Sequence, residues 1–160
     1  MISKSVYKFS LAAFKARLIE PTMFVDQATL ARWAIECAER VLPFFKDQNP
    51  EDTRPRKALD TLQLWLDTGD FNMAVIRGAS LASHAAARDV GKDNPARSAA
   101  RAAGQAVATA HVSTHAMGAA MYALQAIFRE VQPNEAEAAV EAELIWQLGR
   151  LQELSDAPHQ

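Results

Sequence analysis

The chain reads as all-α, a single-domain helical bundle of about five helices around a long alanine-rich central helix over about residues 94–130. Three observations predict this. Residues 102–128 contain no Asp, Glu, Lys or Arg, so a helix there is covered on most sides by others. Elsewhere apolar residues recur at three- and four-residue spacing. No alternation of apolar and polar residues bounded by turn residues marks a strand.

Residues 1–25 mix aromatic and basic residues with a break at Pro21, which predicts irregular or short structure ahead of a helical domain over 26–154. Asp26 can cap a first helix running to about Phe45, with Leu30, Ala34, Cys37, Val41 and Phe44 on its buried seam and Pro43 disturbing its last turn. Pro50 closes the following loop. Asp52 or Thr53 then caps a second helix, with Pro55 in its first turn and Gly69 at its end. Its apolar face is Ala58, Leu59, Leu62, Trp65 and Leu66, and Trp65, like Trp33, is expected to anchor the core. Asp70 is the expected cap of a third helix, with Val75, Ala79, Ala82 and Ala86 on one side, Arg77, His84 and Arg88 on another, and its end at Gly91.

Asn94 followed by Pro95 starts the central helix, because the Asn side chain accepts from first-turn amides and proline has no amide to leave unpaired. Pro133 closes it. At about 100° per residue two stripes separate. One, from Ala103 through Val107, Ala110, Met117 and Leu124 to Phe128, grows from small to large. The other reads Arg97, Arg101, Gly104, Ala108, His111, His115, Gly118, Tyr122, Gln125, Arg129. Its small residues favour close approach of another helix, so His111 and His115 are expected to be buried with hydrogen-bond partners. Asn134 is the expected cap of a last helix. Glu135, Glu137, Glu141 and Glu143 suit the positive end of its dipole, Val140, Leu144, Leu148 and Leu151 form its buried stripe, and residues 155–160 are expected to fray.

With 49% hydrophobic and 22% charged residues and a formal net charge of −2, the composition is that of a globular domain and argues against a nucleic-acid partner. The single cysteine, Cys37, cannot form an internal disulfide, and the run Leu11–Phe14 is cut by Lys15 and Arg17 before reaching signal-peptide length. A cytoplasmic location is the expectation. The uncharged stretch is long enough to span a bilayer, but its Ala, His, Gln and Thr content makes it a poor membrane segment.

Candidate chemistry is sparse. His111 and His115 stand four residues apart, and His84 could add a third ligand for a metal. No glutamate follows His111, where a metalloprotease helix carries its base, because Val112 occupies that place. Cys37 with a histidine would make a nucleophile and base, but nothing in the chain order joins them. Glycine-rich phosphate loops, CxxC pairs and a GxSxG elbow are missing. No catalytic residue, metal or cofactor is therefore assigned. A metal- or small-molecule-binding protein or enzyme centred on His84, His111 and His115 stays as the alternative. Arg54 and Arg56, flanking Pro55, could clamp an acidic partner or pair with Glu51 or Asp52.

The runs ARWAIECAERVLPFF, NPEDTRPRKALDTLQLWLDTG and ARSAARAAGQAVATAHVSTHAMGAAMYALQA resemble, in the same order, the bacterial putative immunity protein family of polymorphic toxin systems. The resemblance covers about Ala31 to Ala126. It implies an all-helical protein that binds a cognate toxin and neutralises it by occlusion, a role that needs no catalytic residue. The expected contact residues are Arg54, Arg56, Glu135, Glu137 and Glu141. Oligomeric state is not legible.

Overall fold

A computed structural model describes residues 11–158 and forms seven helices in them, with no strand among the described residues. They are α1 (Leu11–Thr22), α2 (Gln27–Gln48), α3 (Arg54–Thr68), α4 (Met73–Arg88), α5 (Pro95–Ala108), α6 (His115–Glu130) and α7 (Ala136–Asp156). The contacts between elements sort most of them into two layers. In one, α5 lies between α4 and α6; in the other, α2 lies between α3 and α7, and α2 packs across both α5 and α6. α1 rests on α6 and α7.

The all-helical expectation holds, while the number of helices and the single long central helix do not. After Ala108 the chain tightens, with Thr109, Ala110 and His111 donating their amides to carbonyls three residues back. Residues 109–114 then turn, and α6 returns antiparallel to α5, since Ser98 near the start of α5 bonds to Gln125 and Arg129 near the end of α6. The cause is partly distant in sequence. Gln27 Nε2 at the start of α2 donates to the carbonyls of Thr109 (2.8 Å) and Ala110 (3.0 Å), satisfying acceptors that a helix end leaves open. The local cause is Thr109, Val112, Ser113 and Thr114, whose β-branched or hydroxyl side chains weaken a helix.

At the front, a helix occupies Leu11–Thr22 where irregular or short structure was the expectation, and its Leu18 is fully buried. Residues 1–10 lie outside the described residues, as do 159 and 160 of the expected frayed tail. Asp26 and Asn94 cap α2 and α5 as the sequence predicts, accepting from the amides of Thr29 and Ala96, both at 2.9 Å. Gly69 takes the left-handed conformation after α3, with φ 72. α4 is capped by Asn72 rather than Asp70, because the Asn72 side-chain Oδ1 accepts from the Val75 amide. Glu135, not Asn134, precedes α7 and makes no side-chain cap bond. α2 continues through Pro43 to Gln48, and Phe45 beyond the proline is almost fully buried.

Small residues let the two layers approach closely. Ala99, Ala103 and Ala106 of α5 and Ala116, Ala120 and Ala123 of α6 are buried beside Trp33, Val41 and Phe45 of α2. Cys37 lies in the α2 seam as a small buried hydrophobe, and burial holds its thiol well above its ordinary range. Trp33 donates its indole N–H to the Gln147 carbonyl at 2.8 Å, and the fully buried Gln147 side chain donates to Ala120 O at 3.0 Å. One glutamine therefore links α7 to α2 and α6. Trp65 is half-buried against the same core.

Candidate functional site

The histidine and glycine stripe lies on the outward side of the α4–α5–α6 layer. Arg97, Arg101, Gln105 and Ala108 on α5 are half-buried, as are His115, Gly118, Tyr122, Gln125 and Arg129 on α6. α4 adds Arg77, Leu81, His84 and Arg88 at the same spacing. The glycines make room for side chains rather than for another helix. A Cβ on Gly104 would stand 2.8 Å from His84 Nε2, and one on Gly118 would stand 2.7 Å from Gln105 Oε1.

Each half-buried histidine has a defined partner. Arg101 lies 3.0 Å from His84 Nδ1. Arginine has only donors, so Nδ1 accepts and the neutral ring carries its proton on Nε2. Burial first, then the charges of Arg101, Arg88 and His115, hold His84 below its ordinary pKa. His115 Nδ1 donates to Gln105 Oε1 at 2.8 Å, and burial with His111 nearby holds its pKa down as well. Further along, Arg129 donates to Ser98 Oγ at 2.8 Å and Ser98 donates to Gln125 Oε1 at 2.9 Å.

His115 lies near enough to both His84 and His111 for their charges to act on one another, and His111 is exposed in the 109–114 turn, which removes the helical four-residue spacing. The expectation that His111 is buried is thereby corrected. Among the described residues no group of three or more His, Cys, Asp or Glu is placed to hold a metal ion. The charged groups acting on Cys37 are Glu143, Glu36 and Arg40, with no histidine among them.

Most of the charged contact candidates hold helices together. Arg54 donates to Asp52 at 2.9 and 2.7 Å and to Asp89 at 2.6 Å, tying the start of α3 to the end of α4 and holding the Asp52 carboxyl below the usual range. Arg56 reaches Glu39 at 3.2 Å and Asp60 at 3.7 Å. Glu141 receives both arms of Arg17 at 2.6 Å. Glu143 is buried under Arg40, whose guanidinium also lies 3.8 Å from the Trp146 ring centre. Glu135 and Glu137 remain exposed at the start of α7. The sequence reading missed the Ser98–Gln125–Arg129 network and a groove lined by Met73, Ile76, Arg77, Leu81, Ala108 and His111 beside the turn. The groove joins α4 to the end of α5 and the turn after it, which the packing of α4 on α5 brings together.

A family model described as Imm-5 like putative immunity protein matches residues 22–154. The chain belongs to this family. The match is wider on both sides than the resemblance over Ala31–Ala126, and the immunity-family region takes in all of α2 to α6 and all but the end of α7. Only the last residue of α1, Thr22, falls within it. No curated protein and no solved structure matches the chain. Among the described residues of this immunity-family chain, no helix is long and apolar enough to cross a membrane.

Proposed function

We propose that the protein binds a cognate protein toxin in the cytoplasm and neutralises it by covering the toxin's working surface. The observation that carries this reading is the family match over both helical layers. A packed two-layer bundle with a buried alanine seam suits occlusion, since a rigid surface loses little freedom when it docks. The competing centre on His84, His111 and His115 needs three converging rings, and His111 stands in solvent at the turn.

The test is co-expression with the toxic domain encoded by the neighbouring gene, followed by titration of that domain's activity with purified protein. Occlusion predicts rescue of growth and an inhibition endpoint at equal molar amounts. Absence of rescue and of complex formation contradicts the reading. Inhibition at far below equal amounts replaces occlusion with turnover.

A further inference from the structure

The chain's net charge of −2 conceals a division between the helices. Residues 73–130, which hold α4, α5 and α6, carry six Lys or Arg and three carboxylates, against eleven and sixteen in the remainder. Two of the carboxylates face cations already, since Asp89 is bonded to Arg54 and Asp93 lies 3.7 Å from Arg129, and the third, Glu130, is the last residue of α6. Arg88, Arg97 and Arg101 form no ion pair among the described residues. Arg97 reaches only the Val90 carbonyl, at 3.4 Å, and Arg101 is held by His84.

We infer that the outward face of α4, α5 and α6 is the toxin-contacting surface, and that it takes an acidic segment of the toxin whose carboxylates meet Arg88, Arg97 and Arg101. This inference rests on the immunity reading. Arginine presents a planar fork that binds carboxylates in pairs of hydrogen bonds, and Arg101 is already positioned by the ring that lies over Gly104. On the same layer an apolar groove is lined by Arg77 and by Leu81, which is 59% exposed, and Tyr122 of α6 is half-buried. Five of the six cations in the segment are arginine. Protein interfaces are enriched in arginine and tyrosine and depleted in lysine, so this face fits a protein better than a phosphate backbone.

The test measures association of the neighbouring-gene toxic domain with the full chain across a salt series. The wild-type rate should fall as salt rises, and Arg97→Glu with Arg101→Glu should slow association by about tenfold or more at low salt. Glu20→Lys, exposed on α1 and outside the proposed face, should leave the rate unchanged or raise it. The milder Arg97→Gln with Arg101→Gln should give an intermediate rate, and it decides the matter if the Glu pair loses its helical circular dichroism. A folded Gln or Glu pair that binds at the wild-type rate overturns the proposed face and leaves the immunity reading intact. Failure of the wild-type chain to bind the toxic domain removes both. Arginine-dependent retention of an oligonucleotide, with no toxin complex, also overturns the inference.

Discussion

At Gly104 a side chain is excluded by a neighbour's ring, not by backbone conformation. Exchanging Gly for Ala inside a helix gains roughly 1 kcal/mol, but the new Cβ would stand 2.8 Å from His84 Nε2, and overpacking costs about 1–3 kcal/mol. Gly104→Ala should therefore destabilise the fold by up to about 2 kcal/mol, and the same change in a His84→Ala background should stabilise it. Gly149, in α7 with nothing within reach of a Cβ, is the control. Gly149→Ala should stabilise by about 0.5–1 kcal/mol. Urea unfolding of the wild type, Gly104→Ala, His84→Ala, the double variant and Gly149→Ala checks the pattern, and equal effects at Gly104 with and without His84 would contradict the contact.

His84 and His115 also set the response to acid. Burial lowers both pKa values in the folded state, so between the unfolded value, near about 6.5, and the lower folded values the unfolded chain binds more protons. Their contribution is complete above the unfolded value and is lost as pH falls through the folded ones. The urea midpoint should drop between about pH 7.5 and about pH 5.5, and His84→Gln should flatten that drop. Asp52 and Glu141, whose pKa values are lowered by arginine, lose their contributions only at more acid pH. A level wild-type profile would sink this account.

At the scale of elements, local chemistry was legible in part, since Asp70 and Asn134 do not cap as expected, and distant chemistry was not. The caps at Asp26 and Asn94 and the stop at Gly69 are decided by neighbours in sequence, and the structure has them where the residues predict. The division of the central helix depends on Gln27, 82 residues before Thr109. Two signals were nevertheless present. An unbroken helix over 94–130 would be about 55 Å long, against about 30 Å for the width of a small domain. The run Thr109 to Thr114 is also its poorest helix-forming stretch. Gln27→Ala removes the donor to two carbonyls at the end of α5 and should cost about 1–2 kcal/mol. An unchanged urea midpoint would show that the local residues suffice to hold the turn.

At the scale of the molecule, the stripe of histidine, glycine and arginine was legible as unusual, but its surroundings were not. Helical spacing brought Arg97, Arg101, Tyr122 and Arg129 into one line, yet only the return of α6 makes that line a face of three helices. Arg54 and Arg56 could be read as contacts or as internal pairs and Glu141 as a contact, and each has an ion-pair partner within the chain, such as Arg17 for Glu141. Overall charge hid the basic layer because α7 and connecting residues such as Asp26, Glu51, Asp52, Asp70 and Glu135 carry the compensating acids.

Hydrogen exchange of the chain alone and bound to the neighbouring-gene toxic domain tests the central claim most directly. α4 has only four buried residues, and the 109–114 turn has few helical bonds, so amides in both should exchange measurably in the free protein. The account predicts that complex formation slows exchange in residues 77–88 and 109–115 and leaves the outward sides of α3 and α7 unchanged. Protection confined to α3 and α7, with α4 and the turn exchanging as in the free protein, would contradict it.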